Sequence, residues 1–330
     1  MVLTSSTRSA VDVLDNIAPT SIPSPYIGRF APSPTGPLHF GSLLAALASY
    51  LDARHHHGKW LIRIEDLDPP REIPSAKQNI LAALDAHQLF SDEPIVYQSE
   101  RYDLYQSALD WLIENHKVFP CTCSRTQLKS SHGIHLGNCH SLSNKKNNEK
   151  NNENNLQGCA WRFDCQSEKL GEKISFNDTL QGLFTQSLFQ DVGDFVIKRK
   201  DQLWAYQLAM VVDDFQQGIT HVVRGIDLID STLKQNMLQN SLHYPIPTYS
   251  HIPIACADNG QKLSKQNKAP ALDIDTPKDN LWLALLWLKQ NPPVSLRTSS
   301  IEEILTWGTE HWQPLQLKNI QSQLLPSSQS

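Results

Sequence analysis

The chain has 330 residues, 40% of them hydrophobic, and a formal net charge of −5, enough to bury a large core in one elaborated domain or two modest ones. A pI near 6.2 excludes a broad basic face that coats nucleic acid, while a small local footprint stays open. No stretch reads as a membrane span, and residues 1–25 hold Asp12 and Asp15 where a signal peptide needs an apolar core, so a cytoplasmic chain is expected.

Residues 1–25 are rich in Ser, Thr and Pro and predict a flexible arm. Tyr26 to Ala31 reads as a short apolar strand. Pro32, Pro34, Gly36 and Pro37 then break the chain, because proline sets φ and glycine admits conformations that other residues avoid. Leu43, Leu44, Leu47, Tyr50 and Leu51 recur at helical spacing, with Gly41, Ala45, Ala46 and Ala48 allowing close packing. They predict a helix over about residues 40–56, beginning near His39. A helix N-terminus facing a rigid loop suits phosphate; an ordinary crossover has the same outline. His55, His56 and His57 read either as a solvated helix end or as metal donors.

Lys59 to Glu65 (KWLIRIE) predicts a second strand, completing a strand-helix-strand unit. Asp66 and Asp68 follow at its end, where open α/β sheets bind ligands; acids in a polar turn are equally a plain surface. Helices are expected over 74–87 and 100–116 with an extended piece over 92–99 between them, their apolar stripes serving as core contacts.

An insertion with chemistry of its own comes next. Of six cysteines, Cys121, Cys123 and Cys139 cluster around His135 as C-x-C-x11-H-x3-C, while Cys159, Cys165 and Cys256 are scattered and read as packing residues. The pattern fits a reducing compartment with one metal site better than a disulfide framework. Three thiolates and an imidazole suit a closed tetrahedral, structural zinc site. His132 and His140 are rival donors, and three buried thiols beside an unrelated histidine are the alternative. Residues 144–155, rich in Asn, Lys and Glu without an apolar core, predict a disordered excursion.

Order resumes at 159–164 and in a strand over 194–199. Trp204, Tyr206 and Leu208 precede the acidic pair Asp213-Asp214, and His221 to Arg224 is a strand ending in a charge. A helix over 227–242 and a strand over 249–255 lead to Lys262-Leu263-Ser264-Lys265-Gln266. The apolar segment 282–288 predicts a helix packed with 301–307, and the last dozen residues are expected to fray.

GRFAPSPTGPLHFGS, with His39-Phe40-Gly41-Ser42 standing for the HIGH signature, resembles the first motif of glutamate-type class I aminoacyl-tRNA synthetases. The KLSKQ segment resembles their second signature, KMSKS. Two motifs in this order, more than two hundred residues apart, are far more specific than either alone. The resemblance covers roughly Tyr26 to Leu272. It implies an α/β fold in which a Rossmann-like parallel sheet (26–118 and 201–272) is interrupted by an inserted zinc-binding α/β subdomain (119–200, with a disordered loop over 141–157). A small C-terminal helical appendage (273–330) follows.

The resemblance also implies activation of L-glutamate by ATP and Mg2+ to glutamyl-adenylate. His39 and Lys265 are then the catalytic candidates, with Ser42 and Lys262 also at ATP. Arg29, Phe30, Ala31, Pro32, Ser33, Glu65, Tyr206 and Arg224 would line the glutamate site, with Arg29 or Arg224 clamping a carboxylate and Glu65 balancing the ammonium. Family members generally carry a tyrosine where His135 stands; an imidazole is the better zinc donor, so Cys121, Cys123, His135 and Cys139 are expected to keep the site. Only about 65 residues follow Lys265, against the large anticodon-binding region of a full glutamyl-tRNA synthetase. The resemblance is therefore greatest to a short paralogue family that attaches glutamate to the queuosine base in the anticodon of tRNA(Asp), and a monomer is expected. A short synthetase charging the 3′ end of tRNA(Glu), and a zinc-containing RNA-binding paralogue without catalysis, are the alternatives.

Overall fold

A computed structural model describes residues 25–128, 134–135, 158–168, 171–256 and 270–325. The predicted arm at 1–24, the Asn-rich excursion, Cys139 and its rivals His132 and His140, and Lys262 and Lys265 lie outside the described residues.

Strand β1 (Ile27–Phe30), helix α1 (Phe40–His55) and strand β2 (Lys59–Ile64) form the expected crossover unit. The two strands are parallel, with Ile27 opposite Lys59 and Phe30 opposite Ile62, and β3 (Val96–Tyr97) adds on the far side of β2 in the order β1-β2-β3. Helices α2 (Ala76–Ala86) and α3 (Tyr102–Glu114) flank β3 in the chain. On the other side of β1 lies β9 (His221–Gly225), whose neighbouring Thr220 N–H donates to Ile27 C=O at 2.9 Å. Strand β10 (Thr248–Ile252) runs parallel to β9, and α6 (Ile229–Ser241) connects them. Parallel neighbours require such helical crossovers.

Between the two parallel groups, β4 (Val118–Cys121), β5 (Ala160–Phe163) and β8 (Phe195–Lys198) form an antiparallel sheet in the order β4-β5-β8, with the short helix α4 (Arg125–Leu128) after β4. An antiparallel hairpin of β6 (Lys173–Asp178) and β7 (Gly182–Ser187) precedes β8. Helix α5 (Tyr206–Gln216) carries the chain back to β9.

Helix α1 is buried on nearly every side: Leu43, Leu44, Ala46, Leu47, Ala48, Leu51 and Ala53 are all within the core. One face meets β1, β2 and β9, and the opposite face meets α7 (Pro277–Trp287) and α8 (Ile301–Glu310). A Cβ at Gly308 would stand 3.1 Å from both Leu51 Cδ2 and Leu285 Cδ2, so a glycine there sets how closely the helices approach. The two C-terminal helices thus share a single core with α1 and are more than an appendage.

Two further expectations are corrected. The single strand over 249–255 is two strands, because Pro253 lacks the N–H a ladder needs; β11 (Ile254–Cys256) leaves β9 and pairs instead with β12 (Ser322–Leu324). The last dozen residues do not all fray: β12 is in that ladder, and the Trp287 indole donates to Leu324 C=O at 2.9 Å. The hairpin over 173–187 has no counterpart in the sequence reading.

Candidate active site

The loop 31–39 is held by the backbone on three sides. Glu65 N–H donates to Pro32 C=O (3.0 Å), Ile73 N–H to Pro34 C=O (3.0 Å) and Leu272 N–H to Leu38 C=O (2.8 Å). His39 ends the loop as the N-cap of α1, its Nδ1 accepting from Ser42 N–H at 3.2 Å. That bond makes Nδ1 the bare nitrogen, so in the neutral ring Nε2 carries the proton and is a donor. The first turn of α1 holds no acidic residue, which leaves the positive helix end uncompensated.

Below the loop sits a buried charge cluster. Arg29, 3% exposed, donates from Nε to Asp214 Oδ1 at 3.3 Å, and fully buried Arg63 donates to the same oxygen at 2.7 Å. Burial alone would raise the Asp214 carboxyl, but Arg29 and Arg63 hold it below the usual carboxylate range. Its neighbour Asp213 accepts from Gln98 (2.8 Å), Arg101 (2.5 Å) and the Tyr105 hydroxyl (2.7 Å). The acidic pair of α5 is therefore the counter-charge that lets Arg29 and Arg63 be buried.

Glu65 stands at the end of β2 beside these cations. Its Oε2 accepts from the Ser33 hydroxyl at 3.2 Å, while Oε1 is buried without a hydrogen-bond partner. Burial pushes the carboxyl up to about 7, against the lowering pull of Arg63 and Arg29. A buried acceptor left open in this way is costly unless a ligand supplies the donor.

Arg224, at the end of β9, is 5% exposed. It donates from Nε to His251 Nε2 (3.0 Å) and from its terminal nitrogens to the Tyr206 hydroxyl (3.4 Å), Leu228 C=O (3.3 Å) and the Thr232 hydroxyl (2.8 Å). Tyr206 opens α5, and burial raises its hydroxyl pKa above the ordinary value. Arg224 is thus held on four sides, whereas Arg29 is held through Nε.

One cavity of about 690 Å³ gathers these groups: Arg29, Phe30, Ala31, Pro32, Ser33, His39, Ser42, Glu65, Tyr206 and Arg224 all line it. Every described residue assigned to the nucleotide or the glutamate from sequence therefore lines the same space, which joins the N-terminal end of α1 to a pocket of paired opposite charges. Asp66 and Asp68 are not in its lining. Asp66 is buried against Lys77 (2.5 Å) and Ser99, and Asp68 pairs with Arg71 and Arg199, so both carboxylates are structural.

The thiol cluster is a separate site. Cys121 Sγ and Cys123 Sγ lie 3.6 and 3.8 Å from His135 Nε2, and the three donor atoms are within 4.8 Å of one another. His135 Nδ1 is 3.0 Å from Asp194 Oδ2, and Asp194 N–H returns to His135 C=O at 3.0 Å. A carboxylate on the far nitrogen directs the near one at a metal and fixes its tautomer. Burial alone would raise the Cys121 thiol, yet Cys123 N–H and Arg162 bring it below its ordinary value. The triple histidine carries no metal cluster among the described residues; His55 and His56 bond Thr309 C=O and Asp52 C=O.

Sequence reasoning missed Asp194, Arg63 and Asp178, and assigned no role to Asp214 or His251. Asp213-Asp214 within an apolar helix, two charges where the stripe needs core residues, was the one available signal.

The family described as "tRNA synthetases class I (E and Q), catalytic domain" matches residues 27–290. The chain is 46% identical over 295 residues to a glutamyl-Q tRNA(Asp) synthetase from Vibrio parahaemolyticus, covering 88% of this chain and 94% of that one. It is also 46% identical over 289 residues to one from Dechloromonas aromatica, with the same coverage. The crystal structure of a glutamate-tRNA synthetase from Elizabethkingia anophelis superposes with a TM-score of 0.74 at 22% identity, over 93% of this chain and 69% of that one, a likeness of fold. With a catalytic-domain match over most of its length and relatives at nearly half identity, this chain belongs to the class I (E and Q) tRNA synthetases, and within them to the glutamyl-Q tRNA(Asp) synthetase family.

Proposed function

We propose that the chain activates L-glutamate with ATP and transfers it to the queuosine base in the anticodon of tRNA(Asp). The observation that carries the reading is the single cavity in which the His39 helix end adjoins Arg29, Glu65, Tyr206 and Arg224. The acceptor rests on the names of the relatives, glutamyl-Q tRNA(Asp) synthetases at 43–46% identity.

A carboxylate does not esterify a hydroxyl at neutral pH. Its oxygen first attacks the α-phosphorus of ATP, the bond to the β-phosphate bridging oxygen breaks, and pyrophosphate leaves. Positioning and stabilisation of phosphate charge supply the acceleration. His39 Nε2–H and the open end of α1 meet the phosphates, with Ser42 beside them; Lys262 and Lys265 join from their motif. Mg2+, bound to the phosphates, supplies further charge neutralisation. Glu65 accepts from the α-ammonium through its open Oε1, and Arg29, held only through Nε, presents its fork to the side-chain carboxylate. Arg224 and Tyr206 close the pocket. A cyclopentenediol hydroxyl of queuosine then attacks the activated carbonyl, its proton leaves, and AMP departs.

Cys121, Cys123 and His135, with Cys139 assigned from sequence as the fourth donor, would hold a structural zinc, which would brace the inserted unit at 119–200 between the catalytic segments 26–118 and 201–272. Three converged donors and the Asp194 bond to His135 support this. We assign the protein to the cytoplasm as a monomer.

The test is transfer of labelled glutamate to defined tRNAs. Incorporation into tRNA(Asp) that depends on queuosine supports the reading; incorporation into tRNA(Asp) lacking queuosine, or into tRNA(Glu), overturns it.

A further inference from the structure

We infer that His251 is a positioning residue for the Arg224 guanidinium, and that Asp178 selects the imidazole tautomer in which it can do so. This rests on the reading of Arg224 as part of the glutamate pocket. In the parallel register of β9 and β10, Arg224 and His251 are direct partners, so their side chains leave the sheet on the same face. Arg224 Nε lies 3.0 Å from His251 Nε2, and His251 Nδ1 lies 2.6 Å from Asp178 Oδ2. All three are at most 5% exposed, beyond the reach of solvent to rescue a wrong pairing.

Donor inventory settles the protonation pattern. A guanidinium has donors only, so His251 Nε2 must be bare; a carboxylate has acceptors only, so Nδ1 must carry the proton. The Thr232 hydroxyl, 2.8 Å from a terminal nitrogen of Arg224 and 3.3 Å from Nε2, fits the same pattern. Burial and the Arg224 charge depress the His251 pKa against the pull of Asp178, in keeping with a neutral ring. Asp178 is itself fixed, its Oδ1 accepting from Leu180 and Gln181 N–H at 3.0 and 2.9 Å. The 173–187 hairpin thereby reaches the amino-acid pocket through one imidazole.

The experiment compares H251F, H251Q, D178N and R224A with the parent in glutamate-dependent pyrophosphate exchange. H251F leaves Arg224 Nε unpaired and raises KM for glutamate by about tenfold or more with KM for ATP unchanged. Glutamine can accept from Arg224 and donate to Asp178, so H251Q stays within about threefold of the parent. In 15N-histidine spectra at pH 7, the signal lost in H251Q belongs to an Nδ1-protonated ring in the parent. D178N sets an amide donor against Nδ1 while Arg224 still sets one against Nε2, so neither neutral tautomer satisfies both neighbours: the Nδ1-protonated signal weakens and KM for glutamate rises. A parent ring protonated on Nε2 overturns the inference even if no phenylalanine variant folds. An R224A variant with raised glutamate KM beside an unaffected H251F overturns the relay while leaving the pocket; unchanged glutamate KM in R224A overturns the pocket reading itself.

Discussion

Glutamate binding is predicted to be linked to the ionisation of Glu65. Burial holds this carboxyl near 7 in the free protein, and its Oε1 has no partner. Such a group is about one-tenth ionised at pH 6 and about nine-tenths at pH 8. Contact with an ammonium requires the carboxylate, so glutamate affinity rises about tenfold across that interval, and binding at pH 7 expels about half a proton. Titration calorimetry in buffers of different ionisation enthalpy reads both quantities. E65Q, neutral at every pH, binds weakly and without this pH dependence. The same shift has a stability consequence of opposite sense. A folded pKa above the unfolded value near 4.5 contributes stability that is complete below about pH 4.5 and lost as pH rises through 7. Apo E65Q is therefore more stable than the parent at pH 8, by at most about 3 kcal/mol, and gains nothing at pH 4. A glutamate affinity that stays flat from pH 6 to 8, or E65Q binding as tightly as the parent at pH 8, refutes the reasoning.

R29A weakens glutamate capture severely while zinc content is unchanged, as pyrophosphate exchange and metal analysis will show; parental exchange activity ends that assignment. D214A strands Arg29 and Arg63 as buried, unpaired charges and costs about 3–5 kcal/mol in urea unfolding; a loss below about 1 kcal/mol, the range of a surface pair, contradicts it. H39A, which removes the Nε2–H donor, lowers kcat of pyrophosphate exchange by about a hundredfold or more at saturating substrates, and an unchanged kcat places the phosphates elsewhere. The purified protein carries one zinc by metal analysis, and D194A, which removes the carboxylate from His135 Nδ1, weakens its retention against a chelator by about ten- to a hundredfold. Equal retention in D194A and parent removes Asp194 from the site.

The features legible in the sequence are those with local signatures. Proline and glycine punctuation placed the loop before α1, the helical period of Leu43, Leu47 and Leu51 placed the helix, and the described residues His39 and Ser42 of the first motif line one cavity with Arg29 and Glu65. Groups that act across the chain left no such trace. Asp194 lies 59 residues from His135, and Asp178 lies 73 from His251; nothing in the spacing of either pair marks it. Arg63 sits in a strand whose neighbours are apolar, where the period shows burial but not the Asp214 that makes burial tolerable. The C-terminal helices looked separable because Trp282, Leu285 and Leu288 are apolar on several sides; the second side is the one that packs on α1.

The most direct measurement is a crystal structure with a non-hydrolysable glutamyl-adenylate analogue. The account predicts one molecule spanning the cavity, its ammonium at Glu65, its side-chain carboxylate at Arg29 and its phosphate mimic at His39 and the N-terminus of α1. A glutamyl group bound away from Glu65 and Arg29, or an adenylate remote from His39, contradicts it.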